Sequence, residues 1–232
     1  MDNRTFDNFD AFASDYRAIH SKNVQLSGAD SFYWARMKVD LLKQYEQNEQ
    51  LQVLDVGCGD GATELFMHRF FSQWQITGID VSEQSINEAK QKNIPGTTFQ
   101  SYNGRQLPFA DASVDVVFVA GVLHHVSFDL HVALLKEVYR VLKTGGRFYL
   151  FEHNPLNPLT RYLVKTCIFD KDAQLLKRSY TAKQLSQAGF SNRRCRFIIF
   201  FPRKGLLSRF IPLEKYFTQI PLGGQYYYRC IK

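Results

Sequence analysis

The feature that most restricts the fold is a glycine-rich turn between an apolar strand and a helix. The stretch VLDVGCGDGATE places Gly57, Gly59 and Gly61 at alternate positions directly after the apolar run LQVLDV. The segment ATELFMHRFF that follows has apolar residues at helical spacing. Glycine permits positive φ and a close approach of backbone to a ligand. A strand, a glycine turn and a helix N-terminus therefore predict a ligand site at the carboxyl end of a sheet strand.

Strands and helices alternate along the rest of the chain. Further strands are predicted in QITGIDVS, TTFQSY, SVDVVFVAG, RFYLFEH and RCRFIIFF, and QYYYRCIK is predicted as an edge or inserted strand. Helices are predicted in SEQSINEAKQKN, HVALLKEVYRVLK and TAKQLSQAGF. Ser82 is expected to cap the first of these helices, and Gly145 and Gly146 are expected to close the second. This alternation favours an α/β fold in which helices cover both faces of a parallel sheet.

The length of 232 residues suits one domain with a full core, so residues 1–232 are predicted to form a single domain. Three segments depart from the alternation. Residues 1–50 are expected to be helical, around FDAFASDYRAIH and DSFYWARMKVDLLKQY. Residues 154–179 form an insertion after the fifth strand, and residues 202–224 form a long loop. A connection as long as the insertion is typical of an active-site lid.

The compartment is predicted from what the sequence lacks. It has no run of about 18 apolar residues, which a transmembrane helix needs. Its first residues, MDNRTFDNFD, are acidic and polar and do not resemble a signal peptide. The four cysteines are scattered without a CxxC pair, which argues against a zinc site or a disulfide framework. A cytoplasmic protein without a metal is therefore expected.

The net charge of +7 is concentrated in the last third of the chain. A basic face suggests an anionic partner, which could be a phosphorylated small molecule, a nucleic acid or a membrane surface. A solvated basic surface without a partner is the alternative. Leu206, Leu207, Phe210 and Ile211 lie among the basic residues, so peripheral membrane contact is a further hypothesis. The sequence does not specify an oligomeric state.

Two acidic residues next to the glycine turn restrict the choice of ligand. The glycine spacing departs from the G-x-G-x-x-G of dinucleotide sites, and Asp55 stands two residues before Gly57. A carboxylate at this place would repel a pyrophosphate and attract a cation. Asp80 ends the second strand, where an acid can accept hydrogen bonds from both hydroxyls of a ribose. The pattern therefore fits a nucleoside that carries an ammonium and a sulfonium.

Four motifs in order resemble those of class I S-adenosylmethionine-dependent methyltransferases of the small-molecule type. They are VLDVGCGDG, GIDVS, YNGRQLPFADASVDVVFVAGVLHHV and LKTGGRFYLFEHNP. The resemblance implies a Rossmann-like, doubly wound sheet of seven strands in the order 3-2-1-4-5-7-6, with YYYRCIK as the antiparallel seventh strand. It also implies S-adenosyl-L-methionine as the cofactor and the N-terminal helices as a lid over it.

The resemblance also implies roles for single residues. Asp55 would lie near the cofactor's amino group, Asp80 would bind the ribose, and Val81 would pack on the adenine. Asn103 stands where the family has an acid, and its carbonyl would accept from the adenine amino group. Ala120 and Gly121 would lie beneath the sulfonium. The whole predicted cofactor site comprises Asp55, Gly57, Cys58, Gly59, Asp80, Val81, Asn103, Gly104, Ala120 and Gly121.

Three histidines follow strand ends and are the candidates for a general base. Methyl transfer needs a base only when the nucleophile is a hydroxyl or a protonated amine. His124 and His125 follow the fourth strand, and His153 follows the fifth. His153 is the favoured base, oriented by Glu152 or Asn154, and Glu152 itself is given no catalytic role. The alternatives are that the histidine pair only packs its loop and that FEHNPLNP is only a turn.

The acceptor is predicted from the variable segments, which are apolar, aromatic and basic together. This mixture suits a small molecule with an apolar or ring portion and an anionic handle, such as a sugar, a glycan precursor or a lipid-like compound, and O-methylation is expected. Of Tyr226, Tyr227 and Tyr228, one or two should be core and the remainder could touch the substrate. The alternatives are an RNA methyltransferase that uses the basic surface, and a non-catalytic cofactor-binding scaffold.

Overall fold

The computed structural model describes residues 28–168, 170 and 173–232. The predicted helix at FDAFASDYRAIH lies outside these residues. The second N-terminal helix is confirmed as α1 (Ser31–Leu42), and the side chain of Asp30 caps it by accepting from the Tyr33 backbone N–H at 2.7 Å. No helix of the described residues is long and apolar enough to cross a membrane.

After α1 the described chain alternates strands and helices. The elements in chain order are β1 (Gln52–Val56), α2 (Ala62–Phe70), β2 (Gln75–Asp80), α3 (Glu83–Gln91), β3 (Thr97–Ser101), β4 (Val114–Ala120), α4 (His131–Val141), β5 (Leu142–His153), α5 (Pro158–Thr166), α6 (Arg178–Gln187), β6 (Asn192–Ile198), α7 (Glu214–Phe217) and β7 (Gln225–Ile231). Short 3-10 helices span Leu123–His125 and Leu206–Leu213. Ser82 caps α3 as predicted, since its Oγ accepts from the Ser85 N–H at 3.0 Å.

The seven strands form one sheet in the predicted order, β3-β2-β1-β4-β5-β7-β6. β1 to β5 pair in parallel, and β7 is antiparallel to both β5 and β6. β7 therefore lies between them, as the resemblance implied. The parallel pairing brings the carboxyl ends of β1, β2, β4 and β5 to one edge of the sheet, where ligands of open α/β sheets bind.

Apolar side chains cover both faces of the sheet, which explains why its central strands are continuous apolar runs. On one face, side chains of α4 and α6 such as Leu135 and Leu185 pack on the strands. On the other face, α1 and α2 contribute Val39 and Met67. Trp74 is fully buried in this second layer and stacks on Phe71 with ring centroids 3.9 Å apart.

Two sequence expectations about the later strands were wrong. Gly145 and Gly146 do not close α4, because the helix ends at Val141 and both glycines lie within β5. Gly145 has a φ of +77°, and the β4–β5 pairing shifts register near the start of these strands.

The tyrosines of β7 also differ from expectation. Tyr226, Tyr227 and Tyr228 are all buried, because layers cover both faces of the sheet at this strand. Their hydroxyls bond within the protein: Tyr226 donates to the Leu176 carbonyl at 2.9 Å, and Tyr228 donates to the Arg178 carbonyl at 3.0 Å. None of the three is therefore placed to contact a substrate.

Candidate active site

The glycine turn after β1 has the backbone that its sequence requires. Gly57, Gly59 and Gly61 all have positive φ, at +80°, +53° and +77°. A Cβ on Gly57 would lie 2.3 Å from Cγ2 of Val122, so this glycine permits close packing against the segment after β4. A Cβ on Gly59 would meet no atom within 4 Å. The middle glycine therefore faces open space at the carboxyl edge of the sheet.

Asp80, at the end of β2, holds the glycine turn by hydrogen bonds. Its Oδ2 accepts from the Gly59 N–H at 2.9 Å, and its Oδ1 accepts from the Ser82 N–H at 3.0 Å. The backbone of the turn also docks on β2, since the N–H groups of Gly57 and Cys58 donate to the Ile79 carbonyl at 2.8 and 3.1 Å. A carboxylate can accept about four hydrogen bonds. The carboxylate of Asp80 can thus hold the glycine turn and at the same time accept hydrogen bonds from hydroxyls of a ligand.

Asp55 and Glu64 form a buried acidic pair beneath the turn. Their exposed fractions are 2% and 0%. Among the described residues, no N–H or hydroxyl group donates to either carboxylate oxygen of Glu64, so any hydrogen bond between the two acids requires one of them to be protonated. Burial, joined by the charge of Asp80, raises the pKa of Asp55 to about 7, although a hydrogen bond with Glu64 lowers it. Burial and the charge of Asp55 likewise raise the pKa of Glu64 well above its usual value. A shared proton between the two acids accounts for both directions.

The remaining predicted cofactor residues lie around the same edge. Val81, Ala120 and Gly121 are half-buried at the ends of β2 and β4, and Gly104 is half-buried in the turn after β3. Cys58 is buried in a small cluster with residues such as Ile86. Burial raises the pKa of its thiol well above the usual range, so Cys58 is not a nucleophile at neutral pH.

Asn103 has a local structural role that bears on its predicted contact with adenine. Its Oδ1 accepts from the N–H groups of Arg105 and Gln106 at 2.9 and 3.1 Å. A carbonyl oxygen has two lone pairs, and both are engaged in this turn. The contact with adenine stays a prediction, and it requires one of these two hydrogen bonds to open.

His124 is buried between two carboxylates. Its Nδ1 lies 2.7 Å from Oε2 of Glu152, and its Nε2 lies 3.8 Å from Oδ1 of Asp170. The other oxygen of Glu152 accepts from the Leu123 N–H at 3.0 Å, which fixes the carboxylate under the turn after β4. Burial lowers the pKa of His124, but the charge of Glu152, the hydrogen bond with it and the nearby carboxylate of Asp170 outweigh burial and raise the pKa to about 9. His124 is therefore an imidazolium at neutral pH.

His125 differs from its neighbour in exposure and in charge. Its side chain is 18% exposed, and its Nε2 lies 3.4 Å from Oδ1 of Asp170. Burial lowers the pKa of His125, the hydrogen bond with Asp170 opposes this, and the charge of His124 lowers the pKa further. The net shift is downwards, so His125 is neutral at pH 7. A neutral imidazole beside a carboxylate has the arrangement of a general base and the group that orients it.

His153 lies against the same cluster but is a weaker base. Its ring is 5.2 Å from that of His124, and its Nδ1 lies 3.5 Å from the Gln225 amide nitrogen. Burial, followed by the positive charge of His124, lowers the pKa of His153 to about 3. The side chain can form hydrogen bonds, but it holds a proton poorly at neutral pH. The predicted orienting group Asn154 instead donates to the carbonyls of Pro221 and Gly223 at 3.1 and 2.7 Å.

The histidine pair and Asp170 also raise the question of a metal. One ligand atom from each of His124, His125 and Asp170 lies within 4.8 Å of the others. A metal ligand must be a deprotonated nitrogen or oxygen. His124 does not suit this role, because Glu152 holds its Nδ1 and its pKa of about 9 keeps the ring protonated. The three residues therefore fit an ion-pair network better than a metal centre.

Two functional residues were missed at the level of sequence. Glu152 was given no catalytic role and was considered only as a group that could orient His153, whereas in the structure it anchors the turn after β4 and His124. Asp170 lies in the insertion, where nothing in the sequence separates it from other polar residues. The insertion reaches the histidines because the Gln174 N–H donates to the His124 carbonyl at 2.8 Å. Side chains alternate between the two faces of β5, so Glu152 points to the opposite face from His153. This alternation is the one signal in the sequence that could have indicated a separate structural role for Glu152.

The strand order and the glycine turn with its two acids define a class I S-adenosylmethionine-dependent methyltransferase fold. Residues 54–150 match the methyltransferase domain family. The described residues therefore have the fold of this class, and residues 54–150 match its methyltransferase domain.

Comparisons with individual proteins agree with this assignment. The chain is 33% identical over 147 residues to the ubiquinone/menaquinone biosynthesis C-methyltransferase UbiE of Desulfotalea psychrophila, over 63% of this chain and 59% of that protein. It is 35% identical over 109 residues to the fatty-acid O-methyltransferase of Mycolicibacterium smegmatis, over 46% and 39% of the two chains. The chain thus spans about three fifths or less of the length of these relatives.

The solved structure of a protein from Thermotoga maritima has the same fold as this chain. It is described as an S-adenosylmethionine-dependent methyltransferase, possible histamine N-methyltransferase. The TM-score is 0.69, the sequence identity is 18%, and the match covers 97% of this chain and 98% of that one. At this identity the likeness concerns the fold.

The residues at the sheet edge fit S-adenosylmethionine. Gly59 faces open space where a ligand can approach the backbone. The buried pair of Asp55 and Glu64 places negative charge beside the turn, which suits an ammonium group. Asp80 presents its carboxylate from the adjacent strand, and its contact with the ribose stays a prediction.

Proposed function

We propose that this chain transfers a methyl group from S-adenosylmethionine to an oxygen of a small-molecule acceptor. The observation that carries the proposal is the pair of His125 and Asp170, 3.4 Å apart, at the same sheet edge as the glycine turn. A base is needed when the attacking group is a hydroxyl. The pair therefore favours transfer to oxygen.

In this proposal, the acidic residues at the sheet edge bind the cofactor, and a histidine transfers the proton. Asp80 holds the ribose, and the pair of Asp55 and Glu64 holds the amino group of the methionine part. The bound cofactor would supply a methyl group on a positively charged sulfur that is already a good leaving group. The protein then gains most of its rate from holding the two reactants close and in line.

His125 supplies the proton transfer in this proposal. Its neutral imidazole accepts the hydroxyl proton as the acceptor oxygen attacks, and Asp170 stabilises the imidazolium that results. His124 stays protonated next to Glu152 and places a positive charge beside Asp170, which keeps that carboxylate ionised. The predicted base roles of His124 and His153 are less favoured, because one is already protonated and the other holds a proton poorly.

The acceptor class follows from the segments that adjoin the site. α5 and the loop at residues 202–224 expose apolar and aromatic side chains such as Tyr162 and Leu206, and they also carry cations such as Arg161. This favours an acceptor with an apolar or ring portion and an anionic handle. A sugar or glycan precursor remains a prediction within this class.

The test is the formation of S-adenosylhomocysteine from S-adenosylmethionine with a panel of acceptors. The panel holds hydroxylated lipids, phenols and nucleotide-linked sugars, and a separate arm holds RNA. We expect turnover with at least one hydroxylated small molecule, and no loss of rate in the presence of a chelator. Turnover on RNA alone, falling steeply with salt, would favour the RNA alternative. Binding of the cofactor without turnover on any acceptor would favour a scaffold.

A further inference from the structure

The exposed apolar residues of this chain are concentrated on one face. Seventeen large apolar or aromatic side chains of the described residues are exposed, and eleven of these lie in residues 156–168 and 206–222. The most exposed are Tyr216 at 70%, Leu206 at 69% and Leu222 at 60%. Clusters of this kind on a soluble domain mark interaction sites more often than scattered single residues do.

Hydrogen bonds join the two segments into one surface. The Asn157 side chain, which caps α5, donates to the Leu222 carbonyl at 2.8 Å. The Thr160 hydroxyl donates to the Gly224 carbonyl at 2.9 Å. The 3-10 helix at Leu206–Leu213 joins the same surface through Phe201, whose ring lies 5.7 Å from Phe210 and 6.0 Å from Phe217. We call residues 156–168 and 204–222 the apolar–basic face.

The exposed charges of the apolar–basic face are all positive. Its described residues carry five exposed cations, namely Arg161, Lys165, Lys204, Arg209 and Lys215. Its acids are Asp170, which lies just beyond the face and bonds to the histidines, and Glu214. Glu214 is neutralised by Arg203 at 2.8 Å and also accepts from the Phe200 N–H at 2.9 Å. Apolar side chains flanked by unopposed cations are complementary to a lipid surface with anionic head groups.

From this complementarity we infer that the apolar–basic face docks on the surface of an anionic phospholipid bilayer. The 3-10 helix is amphipathic, with none of its residues buried, so its apolar side chains are available to enter the acyl boundary. The cations lie beside them at head-group level. Asn154 connects this face to the active site, because it directly follows His153 and bonds to the Pro221 carbonyl. Docking would therefore bring the carboxyl edge of the sheet close to the lipid surface.

The test is flotation of the full chain with phosphatidylcholine vesicles, with and without phosphatidylglycerol. We expect the chain to float with the anionic vesicles, to stay at the bottom with the neutral ones, and to be released by high salt. The variant Leu206→Ser/Leu207→Ser should lower the partition coefficient at least about tenfold. Arg209→Glu/Lys215→Glu should do the same through charge.

Matched control variants distinguish a specific effect of the apolar–basic face from a general effect of losing apolar side chains or positive charge. Leu65→Ser/Leu130→Ser removes two other exposed leucines, at 41% and 44% exposure, and Lys136→Glu/Lys183→Glu makes the same charge change on α4 and α6. Both should float like wild type. Failure of wild type to float, flotation of the Leu206→Ser/Leu207→Ser variant at the wild-type level, or equal loss in the controls would overturn the proposal. Flotation needs neither cofactor nor acceptor, so its failure is distinguishable from a failure of the proposed function.

Discussion

Replacing His125 tests the proposed proton transfer, because the three histidines at the sheet edge differ so clearly in charge. Only His125 combines a lowered pKa with partial exposure and a carboxylate 3.4 Å away. A positioned general base contributes about a hundredfold to ten-thousandfold in rate. We therefore expect His125→Gln to lower kcat/KM by about that factor, while the KM for the cofactor stays unchanged.

The pH dependence gives a second and independent readout. Only the neutral form of His125 can accept a proton, so wild-type kcat/KM should fall about tenfold per pH unit below its pKa. That pKa is lowered from the ordinary value of a histidine, so the rate should be level at neutral pH. In Asp170→Asn the hydrogen bond that raises this pKa is lost, so the acid limb should move to lower pH. His125→Gln should lack the limb altogether.

The assay is the initial rate of S-adenosylhomocysteine formation, measured with one acceptor across the pH range in which all variants stay folded. His153→Gln is the comparison, because a histidine with a pKa of about 3 stays neutral throughout this range. Its acid limb should match that of wild type. If His125→Gln kept the limb and His153→Gln lost it, His153 would be the base and the assignment to His125 would be refuted.

Two further predictions concern the stability of the site. Gly57→Ala should lower the free energy of unfolding, measured by urea denaturation, by about 3 kcal/mol, because φ is positive and the new Cβ would clash with Val122. Gly59→Ala should lower it by about 1–2 kcal/mol and should also weaken cofactor binding. The pKa of His124 is raised to about 9 in the folded protein. The ion pair of His124 with Glu152 therefore contributes fully to the free energy of unfolding below about pH 6.5, and this contribution is lost as the pH rises through about 9. The melting temperature should fall over this window and Glu152→Gln should flatten the fall, so equal falls in both proteins would contradict the ion pair.

Local patterns were sufficient to predict most of the strands and helices, and the family resemblance supplied the strand order. The glycine turn and the strand ends at Asp80 and Ala120 lie where the local pattern placed them, and β7 lies between β5 and β6 as the resemblance implied. The limits of α4 and β5 could not be read from the glycines alone. Gly145 was compatible with a helix end, but a strand pairing with β4 begins directly at Leu142 and overrides that local preference.

The chemistry of the histidines could not be predicted, because it depends on contacts between distant parts of the chain. His124 and His125 are adjacent in sequence and have opposite pKa shifts. The difference arises from Glu152 on β5 and Asp170 in the insertion, neither of which is near the pair in sequence. Burial of all three β7 tyrosines likewise depends on which layers cover the sheet.

The binding of S-adenosylmethionine, measured by calorimetric titration, tests the central claim most directly. Asp80→Ala removes the carboxylate expected to bind two ribose hydroxyls, and hydrogen bonds to a charged group contribute about 1.5–3 kcal/mol each. Asp115→Ala is the matched control, because Asp115 also accepts a backbone hydrogen bond, from the Gln52 N–H at 2.8 Å, but lies away from the carboxyl edge of the sheet. The account predicts micromolar binding by wild type and Asp115→Ala, and binding at least about a hundredfold weaker by folded Asp80→Ala. Wild-type affinity in folded Asp80→Ala would contradict it.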